Sequence, residues 1–293
     1  MSNKLPVYSI ASFQNQLDNH EFYANNFSNH VQNHHFTNLP HKHDFYLVVL
    51  ITKGSGWHEV DFVRYMIEKG SVFMLQPGQM HYWELSSDID GFVFFHTKTF
   101  FDEVYTTFKI NNFPFFNSFY SNAEFSVSND KLDRLAVLMK ELISEIQLPA
   151  YFSKQKIHAL LNLVYIEFSR GFIQENSTIQ SAYLNKLLSF ENSIELNYKN
   201  EKSVQFYANK LNISSKHLNR IVKESLNKTS SDLIAERVIL EAKRMLIQLK
   251  FNVTQIGYEL GYQDKSYFVR FFKKQTGETP LTFLERYKSN TTL

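Results

Sequence analysis

Phe206–Lys223 reads FYANKLNISSKHLNRIVK, and about 50 residues later Gln255–Lys273 reads QIGYELGYQDKSYFVRFFK. With one residue inserted in the second segment, the two agree at their small, apolar and basic positions. The matched pairs are Ala208 with Gly257, Leu211 with Leu260, Asn212 with Gly261, Ile213 with Tyr262, Leu218 with Phe268, Arg220 with Arg270, Ile221 with Phe271, and Lys223 with Lys273. One structural unit is therefore expected to occur twice in the last third of the chain.

Each copy has the residues that two closely crossing short helices require. A small side chain suits the crossing, a residue that tolerates left-handed dihedral angles suits the turn, and a polar cap suits the start of the second helix. The first copy supplies Ala208, Asn212 and Ser214 or Ser215 at these places, and the second supplies Gly257, Gly261 and Asp264. The repeat predicts two helix-turn-helix units, at about 204–224 and 253–275.

The second helix of each predicted unit has an apolar side and an outward polar side. Its apolar positions are Leu218, Ile221, Val222, Phe268, Phe271 and Phe272. Its outward positions are Lys216, His217, Asn219, Arg220 and Lys223 in the first copy, and Lys265, Ser266, Val269, Arg270 and Lys273 in the second. Such a helix fits the DNA major groove, where Arg and Lys pair with guanine and Asn with adenine, while other cations contact phosphates. The outward residues are the predicted contacts to double-stranded DNA. A helical bundle with solvated charged faces is the alternative, and two copies in register argue against it.

The segment between the copies, Ser231–Lys250, is apolar at Ile234, Val238, Met245 and Leu249, which is helical spacing. One continuous helix there would hold both units rigidly. The second helix of each unit, which we call its reading helix, would then lie about one DNA turn from the other.

Charge is divided unevenly along the 293 residues. From Tyr183 to Leu293 there are 18 Lys and Arg against 11 Asp and Glu, whereas the preceding residues have 13 against 18. A basic end on an acidic body is typical of a protein in which one part contacts a polyanion, and a solvated basic surface would give the same count. The chain has no cysteine, no signal-peptide pattern in MSNKLPVYSI and no apolar run of about 20 residues. A cytoplasmic protein without a membrane partner is expected.

Residues 1–125 are predicted to be β-rich. Apolar or alternating runs separated by Gly and Pro turns occur at Phe45–Thr52, Trp57–Phe62, Tyr65–Glu68, Ser71–Leu75 and Phe92–His96. Short strands between such turns favour an antiparallel barrel or sandwich.

Helical spacing begins at Asn129. It runs through Leu132–Ile146 to Pro149, and then through Ile157–Phe168 to Gly171. The predicted organisation is a domain at 1–173, with a barrel to about 125 and helices at 129–173, a linker at 174–182, and a helical domain at 183–293.

The C-terminal third resembles the AraC/XylS family of bacterial transcription regulators. The family's signature is carried by Glu236–Leu246 (ERVILEAKRML) and Val253–Tyr287 (VTQIGYELGYQDKSYFVRFFKKQTGETPLTFLERY). The residues that fall where the family pattern has them are Gly257, Gly261, Tyr267, Phe268, Arg270, Phe272, Lys273, Lys274, Gly277 and Pro280. The resemblance covers about 100 residues and implies seven helices, including both helix-turn-helix units and a linker helix. The first unit departs from the pattern, with Asn227 in the place of Gly277 and Ser230 in the place of Pro280, so its end is expected to be less rigid.

The N-terminal half resembles the cupin-type sensor domain of the same family more loosely. The resemblance rests on His41-Lys42-His43, Gly54-Ser55-Gly56 and the segment from Gly70 through Pro77-Gly78-Gln79-Met80-His81. It implies an all-β cupin-like barrel with flanking helices, followed by an all-α double helix-turn-helix domain. It also implies a small-molecule effector in the barrel, a homodimer, and contact with RNA polymerase if the protein is an activator. Leu132–Ile146 is the best dimer helix, unless its apolar face packs on its own barrel.

Aromatic and imidazole side chains are the candidates to line an effector pocket, and they suit a plain core equally well. They are His43, Tyr46, Trp57, His81, Trp83 and His96.

His41, His43 and His81 could converge on a divalent metal ion. Metal-binding cupins usually add a Glu a few residues after the second His, where this chain has Leu47-Val48. We therefore expect no metal and no cofactor, with these histidines capping strand ends.

A transcription regulator that is not an enzyme is the leading hypothesis. No Ser/His/Asp order, phosphate-binding glycine loop or pair of carboxylates stands out. The alternatives are a metal-dependent cupin enzyme fused to a DNA-binding domain, and a regulator whose barrel serves only to dimerise.

Overall fold

The computed structural model describes residues 5–13, 21–34, 39–105, 108–116, 122–175 and 181–290. They divide into two compact units, one within Pro6–Ser177 and the other within Thr178–Leu293 together with Leu5. The first unit is β-rich with flanking helices and the second is helical, which confirms the predicted fold class. Residues 176–180 of the predicted linker lie outside the described residues. None of the described helices combines the length and the apolar character needed to cross a membrane.

The first unit is built on two five-stranded sheets. Its strands are β1 (Val7–Tyr8), β2 (Phe22–Asn26), β3 (His41–His43), β4 (Tyr46–Lys53), β5 (Gly56–Val60), β6 (Val63–Ile67), β7 (Ser71–Leu75), β8 (Met80–Leu85), β9 (Asp90–His96) and β10 (Glu124–Ser126). The strand order is β1-β3-β8-β5-β6 in the first sheet and β10-β7-β4-β9-β2 in the second. All neighbours are antiparallel except the parallel pair of β1 and β3.

Four α-helices accompany the sheets in the described part of this unit. They are α1 (Phe27–Asn33), α2 (Lys98–Asp102), α3 (Asn129–Gln147) and α4 (Ser153–Glu175). The second sheet is covered on both faces, because alternate residues of β4 point to opposite sides. Leu47 and Val49 join the core between the sheets, whereas Tyr46 and Val48 join a second core formed with α3 and α4.

The structure adds β1, β2, β10, α1 and α2 to the predicted elements, and α4 and the first helix of the second unit, Ser181–Asn197, extend into the predicted linker 174–182. It also differs in the following ways. Strand β8 was not predicted as a strand, although MHYWEL follows a Pro-Gly turn. The predicted strand Trp57–Phe62 ends at Val60, because Asp61 and Phe62 both adopt positive φ in the turn between β5 and β6. Helix α4 continues past Gly171, which lies where the helix passes the ring of Phe125.

The described part of the second unit contains seven helices, as the family resemblance implies. They are α5 (Ser181–Asn197), α6 (Val204–Lys210), α7 (Ser215–Leu226), α8 (Ser230–Ile247), α9 (Val253–Glu259), α10 (Lys265–Thr276) and α11 (Pro280–Asn290). Helix α8 is continuous between the two repeated segments.

A buried ion-pair cluster fixes α8 against α5. Arg237 of α8 donates from Nε and Nη2 to the two carboxylate oxygens of Glu195 on α5, at 2.5 and 3.0 Å. Its Nη1 donates to Glu241 at 3.1 Å, and its guanidinium lies 3.9 Å from the centre of the Tyr198 ring. Because Arg237 is buried, removing its partners would leave an uncompensated charge, so the cluster holds these two helices in one arrangement.

The loop after α5 packs directly on the turn of the second repeat. Gly261 in that turn has φ +80°, and a Cβ atom there would lie 2.0 Å from the carbonyl oxygen of Lys199. Lys202 Nζ donates to the carbonyl oxygen of Leu260 at 2.6 Å. The first and second repeats are thus joined both through α8 and through this loop.

Gly261→Ala is expected to lower the free energy of unfolding by at least about 3 kcal/mol. The new Cβ atom would overlap the carbonyl oxygen of Lys199, and alanine would also be strained at the positive φ of this position. Gly277→Ala is the matched control, since Gly277 has φ +82° with open space around its Cβ position. It is expected to cost about 1–2 kcal/mol. Denaturant unfolding of the purified variants measures both. Equal losses in the two variants would contradict the packing of the loop on the turn.

Candidate nucleic-acid interface and barrel site

Both repeats form the turns and caps predicted for helix-turn-helix units. Asn212 has φ +54° and Gly261 has φ +80°, so both adopt the left-handed conformation between their helices. Ser214, rather than Ser215, caps α7 by accepting from the backbone N–H of His217, and Asp264 caps α10 by accepting from that of Tyr267. The start of each second helix is therefore fixed by the chain itself.

The small residues at the helix crossings are fully packed. Ala208 is buried, and a Cβ on Gly257 would lie 3.3 Å from the ring of Phe268. Leu218, Ile221, Val222, Phe268 and Phe272 face the core, whereas Phe271 is half-buried. These contacts set which side of α7 and α10 faces outward.

The outward side of α7 and α10 carries the predicted contact residues. Lys216, Arg220, Lys223, Lys265, Ser266, Arg270 and Lys273 are exposed, and His217, Asn219 and Val269 are half-buried. Within the described part of the chain, no acidic side chain forms an ion pair with Lys216, Arg220, Lys265, Arg270 or Lys273. The cations of this face are thus available to an external anion, unlike Arg237.

Asn219 is held by the protein itself. Its Oδ1 accepts from the backbone N–H of Ser230, the first residue of α8, at 2.9 Å. In the second repeat Val269 stands at the place of Asn219, and Pro280, which has no N–H, stands at the place of Ser230. The first repeat thus has an acceptor, Asn219, where Ser230 has an N–H to donate, and the second has Val269 where Pro280 has none. This pairing accounts for Ser230 in place of the proline of the family pattern.

The departure at Asn227 has an equally simple basis. Asn227 ends α7 with φ +54°, and Gly277 ends α10 with φ +82°. Asn is the residue after Gly that most readily adopts this conformation. Both repeats therefore close with the same helix end.

Tyr267 and the groove beside it were not predicted from the sequence. Tyr267 stands at the place of His217 and is exposed. It lines a groove of about 480 Å³ between α8 and α10, together with Lys202, Arg270, Lys274 and apolar residues of both helices. The sequence did offer a signal for Tyr267, because this aromatic residue stands at the position matched to His217, a predicted DNA contact.

The predicted effector residues do not share one pocket. Tyr46 and His96 lie on the face of the second sheet that packs against helices, where His96 Nε2 is 2.6 Å from the hydroxyl of Tyr165. Trp57 is 43% exposed. Of the six predicted residues, His43, His81 and Trp83 lie together between the sheets. Tyr46 and His96 are separated from them because the second sheet is covered on both faces and they lie on its other face.

A buried cluster of histidines occupies one region between the sheets. His41, His43, His58 and His81 are all buried, and His58 stacks on Trp83 with ring centres 3.3 Å apart. Burial lowers the pKa of His41 to about 4 and holds the pKa values of His43, His58 and His81 well below their usual range. These imidazoles are therefore neutral at neutral pH, and one nitrogen of each neutral ring has a lone pair.

The apolar face of the predicted dimer helix packs on its own barrel. Leu132, Leu135 and Leu142 of α3 are buried in the core that α3 and α4 form with the second sheet. The exposed large apolar residues of this region are Val137, Leu148, Tyr151, Phe152 and Leu163.

Two protein families match this chain. The family described as an AraC-like ligand binding domain matches residues 27–143. The family described as a helix-turn-helix domain matches residues 207–286. The two matches fall on the two compact units.

Two relatives in sequence agree with the family matches. An uncharacterised helix-turn-helix transcriptional regulator of Pseudoalteromonas carrageenovora is 36% identical over 96 residues, which is 33% of this chain and 57% of that protein. The transcriptional activator RhaS of Escherichia coli is 22% identical over 253 residues, 82% of this chain and 85% of its own. Crystalline ToxT of Vibrio cholerae with bound unsaturated fatty acid aligns over 92% of this chain and 96% of its own, with 16% identity and a TM-score of 0.43. This chain belongs to the AraC family of transcription regulators, with an AraC-like ligand-binding domain followed by a helix-turn-helix DNA-binding domain.

Proposed function

We propose that α7 and α10 both read base edges in the DNA major groove, with Arg220 and Arg270 as the principal base contacts. The observation that carries this proposal is the matched position of the two arginines on the exposed face of the two repeats. An exposed guanidinium without an acidic partner can pair with O6 and N7 of guanine. Lys216, Lys223, Lys265 and Lys273 are assigned to phosphates, together with His217, Ser266 and Tyr267, and Val269 to apolar contact with a thymine methyl.

Asn219 has a different role in this proposal. Its side-chain oxygen is used by Ser230, and its side chain is half-buried. We assign it to holding the first helix-turn-helix unit against α8 rather than to adenine.

Regulation would be exerted through the barrel. The AraC-like ligand-binding domain supports a small effector that changes DNA binding or contact with RNA polymerase. RhaS is named as a transcriptional activator, which favours polymerase as a partner of this chain. Because a regulator must reach DNA, we place the protein in the cytoplasm. Its relatives are transcription regulators, which favours regulation over the alternative of a cupin enzyme fused to a DNA-binding domain.

A homodimer would use the corner between α3 and α4. Tyr151 is 90% exposed and Leu148 is 77% exposed, and Phe152 lies next to them. Clustered exposed apolar side chains of this kind are typical of protein interfaces. The buried leucines of α3 are not available for such a contact.

Selection of bound sites from random DNA by the full-length protein tests the reading helices. Arg220→Ala and Arg270→Ala are each expected to relax the preference at one base position, at a cost of about 1–3 kcal/mol for the best site. The two positions should lie in different parts of the site, because the arginines belong to different helices.

Lys288→Ala is the matched control for charge. Lys288 is an exposed cation of α11 and is not part of the outward side of α7 or α10, so its removal should leave base preference unchanged. Unaltered preference in both arginine variants, or an equal change in the Lys288 variant, would refute groove reading by Arg220 and Arg270.

Asn219→Ala is expected to lower the free energy of unfolding by about 1 kcal/mol and leave base preference intact, because it removes the side-chain oxygen that accepts from the backbone N–H of Ser230. Asn219→Val combined with Ser230→Pro copies the second repeat and should recover most of that loss. Unfolding and site selection on the two variants measure these effects. A changed base preference at full stability would instead assign Asn219 to DNA.

A further inference from the structure

The strand register brings three histidines together between the sheets. His41 of β3 lies directly opposite His81 of β8 in the antiparallel pair, and His43 follows two residues later on the same face of β3. The ring centres are 4.3 Å apart for His41 and His81, 4.8 Å for His41 and His43, and 4.6 Å for His43 and His81. All three side chains are buried.

Two of these rings have nitrogen atoms spaced as metal ligands are, and a nitrogen of the third ring lies close to them. One nitrogen from each ring lies within 4.8 Å of the others. His81 Nε2 and His43 Nε2 are 3.3 Å apart. A zinc ion about 2.1 Å from each of these two nitrogens would have an N–Zn–N angle of roughly 105°, close to tetrahedral.

Neighbouring groups orient the rings for this role. His41 Nδ1 lies 2.7 Å from the carbonyl oxygen of Leu39, which can only accept, so Nδ1 carries the proton and Nε2 keeps its lone pair. His58 Nε2 lies 2.8 Å from His81 Nδ1. When His81 Nδ1 donates to His58, His81 Nε2 is also left with a lone pair, and partners of this kind commonly orient metal-bound histidines.

We propose that the barrel binds one divalent transition-metal ion, with Zn²⁺ the best match, through His41, His43 and His81. His58 is the positioning residue behind His81. Leu47, at the place where metal-binding cupins usually have a Glu, is buried in the apolar core between the sheets. Three imidazoles bind zinc with a fourth position left for water or for a donor atom of an effector. From the sequence alone, the missing carboxylate argues against a metal. Because three imidazoles are enough to bind zinc, its absence does not exclude one. Metal binding by the barrel does not depend on the DNA contacts proposed above.

Metal binding by the full-length protein tests the proposal. The protein is stripped with a chelator, incubated for a long period with Zn²⁺ or Co²⁺ because the site is buried, desalted and analysed for metal. We expect one ion per chain and a higher Tm, because an ion that binds only the folded state stabilises it. We also expect the intense visible absorption of tetrahedral Co²⁺ bound to nitrogen. No stoichiometric ion, or the weak absorption of octahedral Co²⁺, would overturn the proposal.

Two ligand variants and a matched control locate the site. His41→Gln and His81→Gln should each abolish the Tm increase and the tetrahedral Co²⁺ absorption, with circular dichroism confirming that each variant is folded. His41→Gln keeps the test decisive if His81→Gln fails to fold, since the hydrogen bond of His58 is made to His81. His158→Gln alters a buried histidine of α4 outside the cluster and should retain both signals. Full binding by folded His41→Gln, or loss of binding in His158→Gln, would contradict the assignment.

His58→Phe tests the positioning residue. Phenylalanine can keep the stacking on Trp83 while removing the hydrogen bond to His81. The expected result is one ion per chain bound ten- to a hundredfold more weakly. Unchanged affinity would show that His58 does not act through His81.

Discussion

The DNA-binding unit depends on the fixed position of α8. The buried guanidinium of Arg237 binds both carboxylate oxygens of Glu195 and thereby ties α8 to α5. The loop that follows α5 then packs on the turn at Gly261. Since each repeat contacts α8 or its partners, the two reading helices are parts of one body. Within the described residues, both reading helices pack in this one unit.

Most of the helical unit could be predicted from the repeat itself. Small residues at the crossings, left-handed residues in the turns and caps at the second helices each follow from a local requirement, and each is met twice. The hydrogen bond of Asn219 to Ser230 could not be predicted in this way. Its side chain is polar and lies on the outer side of α7, so local pattern assigns it to DNA. Its partner, the N–H of Ser230, lies eleven residues away and becomes visible only in the folded chain.

The barrel was less predictable because its second sheet is buried on both faces. A strand of this kind shows no alternation, so the sequence does not reveal which side Tyr46 or His96 occupies. The histidine cluster depends on a register between β3 and β8, and β8 was not predicted as a strand. His41, His43 and His81 were recognised as a set, but the partners that orient them, Leu39 and His58, come from pairing that sequence spacing does not encode.

Helix α8 has 18 residues and is therefore about 27 Å long, comparable with one turn of DNA. This geometry predicts that one chain reads two base blocks about ten base pairs apart, centre to centre. The most direct test inserts five base pairs between the blocks of a selected site and measures the affinity of the full-length protein. The insertion turns one block to the opposite side of the duplex, so we expect affinity to fall at least tenfold. Equal affinity for the two DNAs would show that the reading helices do not act as one rigid body.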